Sequence, residues 1–127
     1  MTGLDTNVLV RYLIHDDPEQ AARATETIES GEAFYVDSVV LAEIVWVLQK
    51  TCRRTRVEVA DALEKVLRAD ALIIERDELA RLALDDYRAG LGDFADALIA
   101  RAALDAGCEA VLTFDKSLKR MPGFRQL

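Results

Sequence analysis

DFADALIARAALDAGCEAVLTFD, residues 93–115, decides the architecture. Residues 93–106 have helical spacing, while AVLTF (110–114) is a short, wholly apolar run that ends on Asp115. A strand apolar on both faces belongs in a parallel sheet covered by helices. The helix poses a second question. Asp96 shares its side with Ile99, Ala100 and Ala103, so it does not lie on a solvated stripe. Either it caps the helix, or a positive charge faces it.

Outward from this stretch the alternation of helix and strand recurs. TGLD is a very short strand running into a helix over 6–14. Asp17, Pro18 and Gln20 form a cap, a first-turn proline and a capping-box-like pattern for a helix that ends near Ser30 at Gly31. AFYV is a strand, after which Ser38 caps an apolar helix to about Cys52, with Asp37 competing for that role. A helix over 57–69, the strand LII (72–74) and a helix over 78–89 complete the series. No repeat, linker or low-complexity tract interrupts it, and the chain reads as one domain over residues 1–127. In open parallel sheets the ligand site lies at the carboxyl ends of the strands. Asp5 follows the first strand and Asp115 the last.

The composition excludes several classes. With 51% hydrophobic and 31% charged residues the chain is an ordinary folded protein, and no run approaches the roughly 20 apolar residues of a membrane span. The N-terminus lacks the basic start of a secretory signal. Cys52 and Cys108 read as reduced small core residues, so the expected location is cytoplasmic. The net charge of −7 suits a protein that attracts cations or a basic partner, not one that coats phosphates. Two basic clusters run against it: Arg53, Arg54 and Arg56, and the acid-free tail with Lys116, Lys119 and Arg120, which are candidate substrate contacts.

SVVLAEIVWVL (38–48) repeats the anomaly of Asp96. Glu43 is its only charged residue, on a helix hydrophobic all round and therefore expected to be buried. Asp5, Glu43, Asp96 and Asp115 thus stand out, each in an apolar setting. Clustered carboxylates cannot all ionise without cations between them. There is no cysteine or histidine to help, since the lone His15 sits beside two aspartates near a turn. An all-oxygen donor set selects a hard ion, Mg²⁺ with Mn²⁺ able to substitute. Such an ion delivers activated water to a phosphodiester without a covalent nucleophile. Asp93 follows Gly92 and reads as an N-cap, though it shares a face with Asp96. Thr6, Asn7 and Thr113 adjoin the strand-end acids, as supports or as holders of metal-bound water.

LDTNVLVRYL, SVVLAEIVWVL and DFADALIARAALDAGCEAVLTFD, in this order, resemble the PIN-domain nucleases, in particular the VapC toxins of bacterial toxin–antitoxin pairs. The likeness runs from residue 3 to about 118. It implies an α/β fold, a three-layer α/β/α sandwich with a central, mostly parallel sheet of four or five short strands. It also implies a Mg²⁺- or Mn²⁺-dependent endoribonuclease leaving a 5′-phosphate and a 3′-hydroxyl. Asp5, Glu43, Asp96 and Asp115 carry over as metal-binding acids, and Asp93 as an additional one. An RNA substrate, a cognate antitoxin and a homodimer are implied as partners. The rival readings are a larger PIN nuclease of RNA processing and an aspartyl-phosphate hydrolase, which needs an acid where Asn7 stands. Two others are non-enzymatic: a receiver-like domain, which gives Glu43 no place, and a PIN-like binding module.

Overall fold

A computed structural model describes residues 1–127. They form two compact units, Met1–Asp77 and Glu78–Leu127. In the first, β1 (Thr2–Gly3), β2 (Phe34–Val36) and β3 (Leu72–Ile74) make a parallel sheet in the order β1-β2-β3, with Phe34 opposite both Thr2 and Leu72. Its helices are α1 (Thr6–Leu13), α2 (Pro18–Ile28), α3 (Ser38–Lys50) and α4 (Arg56–Arg68). α1 packs on α2 and α3, and α4 packs on α3 and β3. Leu9, Leu41, Ile44, Leu48, Val59 and Leu63 are wholly buried. Ile44 and Leu48 lie one turn apart on α3, and each is worth about 1.5–3 kcal/mol relative to exposure. Their burial fixes which face of α3 looks outward.

The caps show why these segments are helical. Asp17 accepts from the Gln20 amide at 3.1 Å, as predicted, but the reciprocal half of the box is absent. Gln20 instead accepts from Arg11 Nε at 2.8 Å, a charged donor that outcompetes a backbone amide. α2 stops where Gly31 supplies a φ of 97°. At α3 the cap is Asp37, not Ser38. Its carboxylate accepts from Val40 N at 2.8 Å, and Glu75 accepts from Ser38 N at 2.9 Å. Two carboxylates satisfy the positive end of the helix better than one hydroxyl. Donation from Ser38 holds Glu75 below its usual range. Thr55 and Glu58 close a full capping box ahead of α4, a T-x-x-E pattern that a start at residue 57 passes over.

The second unit contains α5, which begins at the boundary (Asp77–Arg88), α6 (Phe94–Asp105), β4 (Val111–Thr113), a single 3₁₀ turn (Lys116–Leu118) and β5 (Phe124–Gln126). β4 and β5 pair in parallel, with Val111 opposite Phe124. β5 lies in the tail that reads as merely basic, since one aromatic beside Arg125 and Gln126 is a faint strand pattern. Tyr87 and Phe94 meet edge to face at 6.5 Å and are fully buried.

The α/β class and the parallel pairing agree with the sequence reading; the five strands, one more than the residues alone suggested and within the four or five that the resemblance implies, bond as three and two. The expectation that every strand is buried on both faces does not hold. Leu112 in β4 is 56% exposed and Ile73 in β3 45%. Successive side chains alternate between faces, and α6 packs on β4, so Leu112 projects away from the half-buried Val111 and Thr113. Neither cysteine is a core residue: Cys52 is half-buried, Cys108 exposed, and both are free. No helix is long and apolar enough to cross a membrane.

Candidate functional site

The first unit brings Asp5 and Glu43 to one cavity of about 370 Å³. Asp5 is the N-cap of α1, reached directly from the end of β1, and its Oδ1 accepts from Thr6 N at 2.8 Å. Glu43 comes from the middle of α3. It is exposed, which corrects the expectation of a buried acid. α3 is not buried all round: Val39 is 65% exposed and Trp46 59%, and Glu43 lies on the same stripe. Apolar side chains on an outward face had disguised it.

Thr6 and Asn7 line this cavity. Thr6 is 7% exposed, and its Oγ1 is buried without a hydrogen-bond partner, an arrangement that a native fold seldom leaves in place without a use. Arg11, one turn beyond Asn7, lines the same cavity and is held by Asp16 and Gln20. The sequence reading missed it. Its signal was the i, i+4 spacing from Asn7, which puts both on one face.

The second unit gathers Asp93, Asp96 and Asp115. Asp96, in the first turn of α6, has its carboxyl raised above the ordinary range by burial, then by the negative charges of Asp93 and Asp115. Both neighbouring charges that raise it are negative. Asp93 occupies the N-cap position, yet its side chain makes no capping hydrogen bond. The cap reading is therefore incomplete: the backbone turns there, but the exposed carboxylate does not bond the helix end. Asp115 follows β4 and accepts from the Ser117 amide (2.9 Å) and hydroxyl (2.6 Å), which lower its pKa. Thr113 Oγ1 accepts from Asp115 N at 3.0 Å and so braces the loop that presents this acid. Lys116, Lys119 and Arg120 are exposed in and just after the 3₁₀ turn.

Within neither unit do three or more carboxylate, imidazole or thiol groups close into a cage for an ion. The donor chemistry nonetheless suits a hard cation: every candidate is an oxygen, and the orphaned Thr6 hydroxyl adjoins Asp5. A family model described as PIN domain matches residues 4–123, across both units. The chain belongs to the PIN-domain family. A protein named VapC ribonuclease from Aquifex aeolicus (strain VF5) is 27% identical. That alignment covers 98% of this chain and 94% of the relative. The sequence also held, unread, a buried ion pair that ties the helix of Asp96 to α5. Asp86 on α5, 6% exposed, accepts from Arg101 Nε and Nη2 on α6, both at 2.8 Å. An acid in DDYR beside an arginine in LIARAA offers only charge, since the pairing partner is set by helix packing.

Proposed function

We propose that this PIN protein is a metal-dependent endoribonuclease, folded as a single domain over residues 1–127, and the toxin of a toxin–antitoxin pair. The observation that carries this reading is the disposition of acids in a member of that family. Asp5 and Glu43 share a cavity, and Asp96 feels the negative charges of Asp93 and Asp115. Asp5, Glu43, Asp93, Asp96 and Asp115 would hold Mg²⁺, or Mn²⁺ in its place. A bound ion of this kind supplies an activated water and offsets negative charge developing on the scissile phosphate. The chain's own groups do the rest. Asp5 is fixed by its bond to the Thr6 amide, and Asp115 by Ser117 and Thr113. Thr6 and Asn7 line the cavity beside Asp5, as supports for that acid, while Lys116, Lys119 and Arg120 would bind flanking phosphates.

Its proposed setting is the cytoplasm, as a homodimer silenced by an antitoxin. The relative's name, VapC ribonuclease, supports the RNA substrate. The test is a map of new 5′-phosphate ends in total cellular RNA after incubation with the purified chain and Mg²⁺ or Mn²⁺. Discrete ends that vanish with chelator and with Asp96→Asn are the expected result. A folded, antitoxin-free wild type that produces none overturns the reading in favour of a binding module.

A further inference from the structure

α3 carries more than Glu43 on its outward face. Val39, Glu43, Trp46 and Lys50 succeed one another at intervals of four, three and four residues, so they form one stripe along the helix. All four are exposed, with Trp46 at 59%. A tryptophan left mostly exposed is worth accounting for, because the part of a large ring that stays in water gains nothing from the fold. Beyond Lys50 the chain leaves the helix through Arg53, Arg54 and Arg56. Cys52 N donates to Val47 O at 3.0 Å and Arg54 N to Leu48 O at 2.9 Å. The turn between them places Arg53 at φ 54°, the left-handed region that glycine or asparagine occupies at low cost and arginine does not. An exposed arginine kept at a strained position suggests that its charge is wanted there.

From these observations we infer that the Trp46 face of α3 is the path of single-stranded RNA leaving the acid site. Trp46 stacks on an unpaired base next to the scissile phosphate, and Lys50 and Arg53 hold the following phosphates. The inference rests on the nuclease reading above and deepens it. Beyond Glu43 the stripe offers one exposed ring, Trp46, followed by the cations Lys50 and Arg53, the stacking platform and phosphate contacts that single-stranded nucleic acid uses. Glu43 to Lys50 spans about 10 Å at 1.5 Å per residue, so the acid, the ring and the first cation serve neighbouring nucleotides. Continuity with Glu43 and the basic end of the stripe favour RNA over a protein partner, which would need a broader apolar patch.

Trp46 is the only tryptophan, so its fluorescence reports the contact directly. A short mixed-sequence RNA is titrated into the protein in EDTA, alongside the same RNA as a duplex and with abasic sites. Single-stranded RNA is expected to quench the emission, and the duplex and abasic strands to do so weakly. Trp46→Ala, measured by labelled RNA, should weaken binding about 5- to 100-fold, and Trp46→Phe by a few-fold only. In Mg²⁺ the loss should appear in KM more than in kcat. Arg53→Gly should melt no lower than wild type yet bind more weakly, with a log-affinity slope against log salt shallower by about 0.7. Unchanged emission with RNA, or Trp46→Ala binding as wild type does, overturns the inference even if the protein cleaves RNA. A Trp46→Ala protein that loses self-association but keeps its RNA affinity assigns the face to protein contact and also overturns it. If no RNA is cleaved but quenching and its loss are seen, the RNA path stands and the nuclease reading falls.

Discussion

Replacing Arg101 by Met would leave the Asp86 carboxylate buried without its partner. Asp86 is 6% exposed and takes both its charged hydrogen bonds, at 2.8 Å each, from the Arg101 fork. Breaking such a pair from one side costs about 3–5 kcal/mol, because the remaining charge keeps its desolvation penalty and loses its compensation. The Arg101 side chain is a quarter exposed, so water reaches the partner and the lower end applies, about 3 kcal/mol. For a chain of this length that corresponds to a Tm lower by roughly 9 °C. Arg101→Lys should lose much of the same energy, since an ammonium cannot reproduce two parallel bonds. Removing both charges, with Asp86→Leu and Arg101→Met, should recover at least about 2 kcal/mol of the single-variant loss. Urea unfolding followed by far-ultraviolet circular dichroism measures all four proteins. A loss below about 1 kcal/mol for Arg101→Met, or a double variant no better than the single, would refute the claim that this pair is desolvated and mutually dependent.

Three further outcomes are expected. Asp96 has its folded pKa raised by burial and by Asp93 and Asp115, so its contribution favours folding below the ordinary value of 3.8 and is lost as pH rises through the folded pKa. In metal-free buffer Asp96→Asn should therefore melt higher than wild type at pH 7, with the gap closing towards pH 3; a lower Tm at pH 7 would instead mark Asp96 as a structural cap. Asp115 shows the opposite sign: its pKa is lowered by Ser117, so its stabilisation exists above 3.8 and is lost as pH falls through the folded value. Ser117→Ala should raise the Asp115 pKa in a carboxyl NMR titration while leaving the bond to the residue 117 amide in place. Thr55→Ala removes one half of the α4 capping box and should cost about 1 kcal/mol, read from the urea midpoint at constant slope.

Local chemistry made much of the molecule legible in one dimension. Helical spacing bounded by Asp17, Pro18 and Gly31, the apolar runs FYV and LII, and acids at the ends of β1 and β4 can be read from neighbouring residues alone. Repetition of helix and strand with apolar strands leaves few alternatives to an α/β fold with parallel pairing. The same locality drew attention to Asp5, Glu43, Asp96 and Asp115, because a carboxylate in an apolar run is costly wherever that run is buried on every side.

What the sequence left open needed a third dimension. Hydrophobic neighbours made Glu43 look buried, yet Ile44 and Leu48 take the inward face of α3 and turn Val39, Glu43 and Trp46 to solvent. Asp37 and Ser38 are equally good caps in a string of letters. The choice fell to Asp37 because Glu75, distant in sequence, arrives at the same helix end to accept from Ser38. The Asp86–Arg101 pair, the orphaned Thr6 hydroxyl and Arg11 beside Asp5 likewise depend on which elements pack together. Sequence determines periodicity, turns and the presence of charge, since these act over a few residues. Which face is wet, and which distant group answers a buried charge, is decided only by tertiary packing, where the costs of desolvation are set.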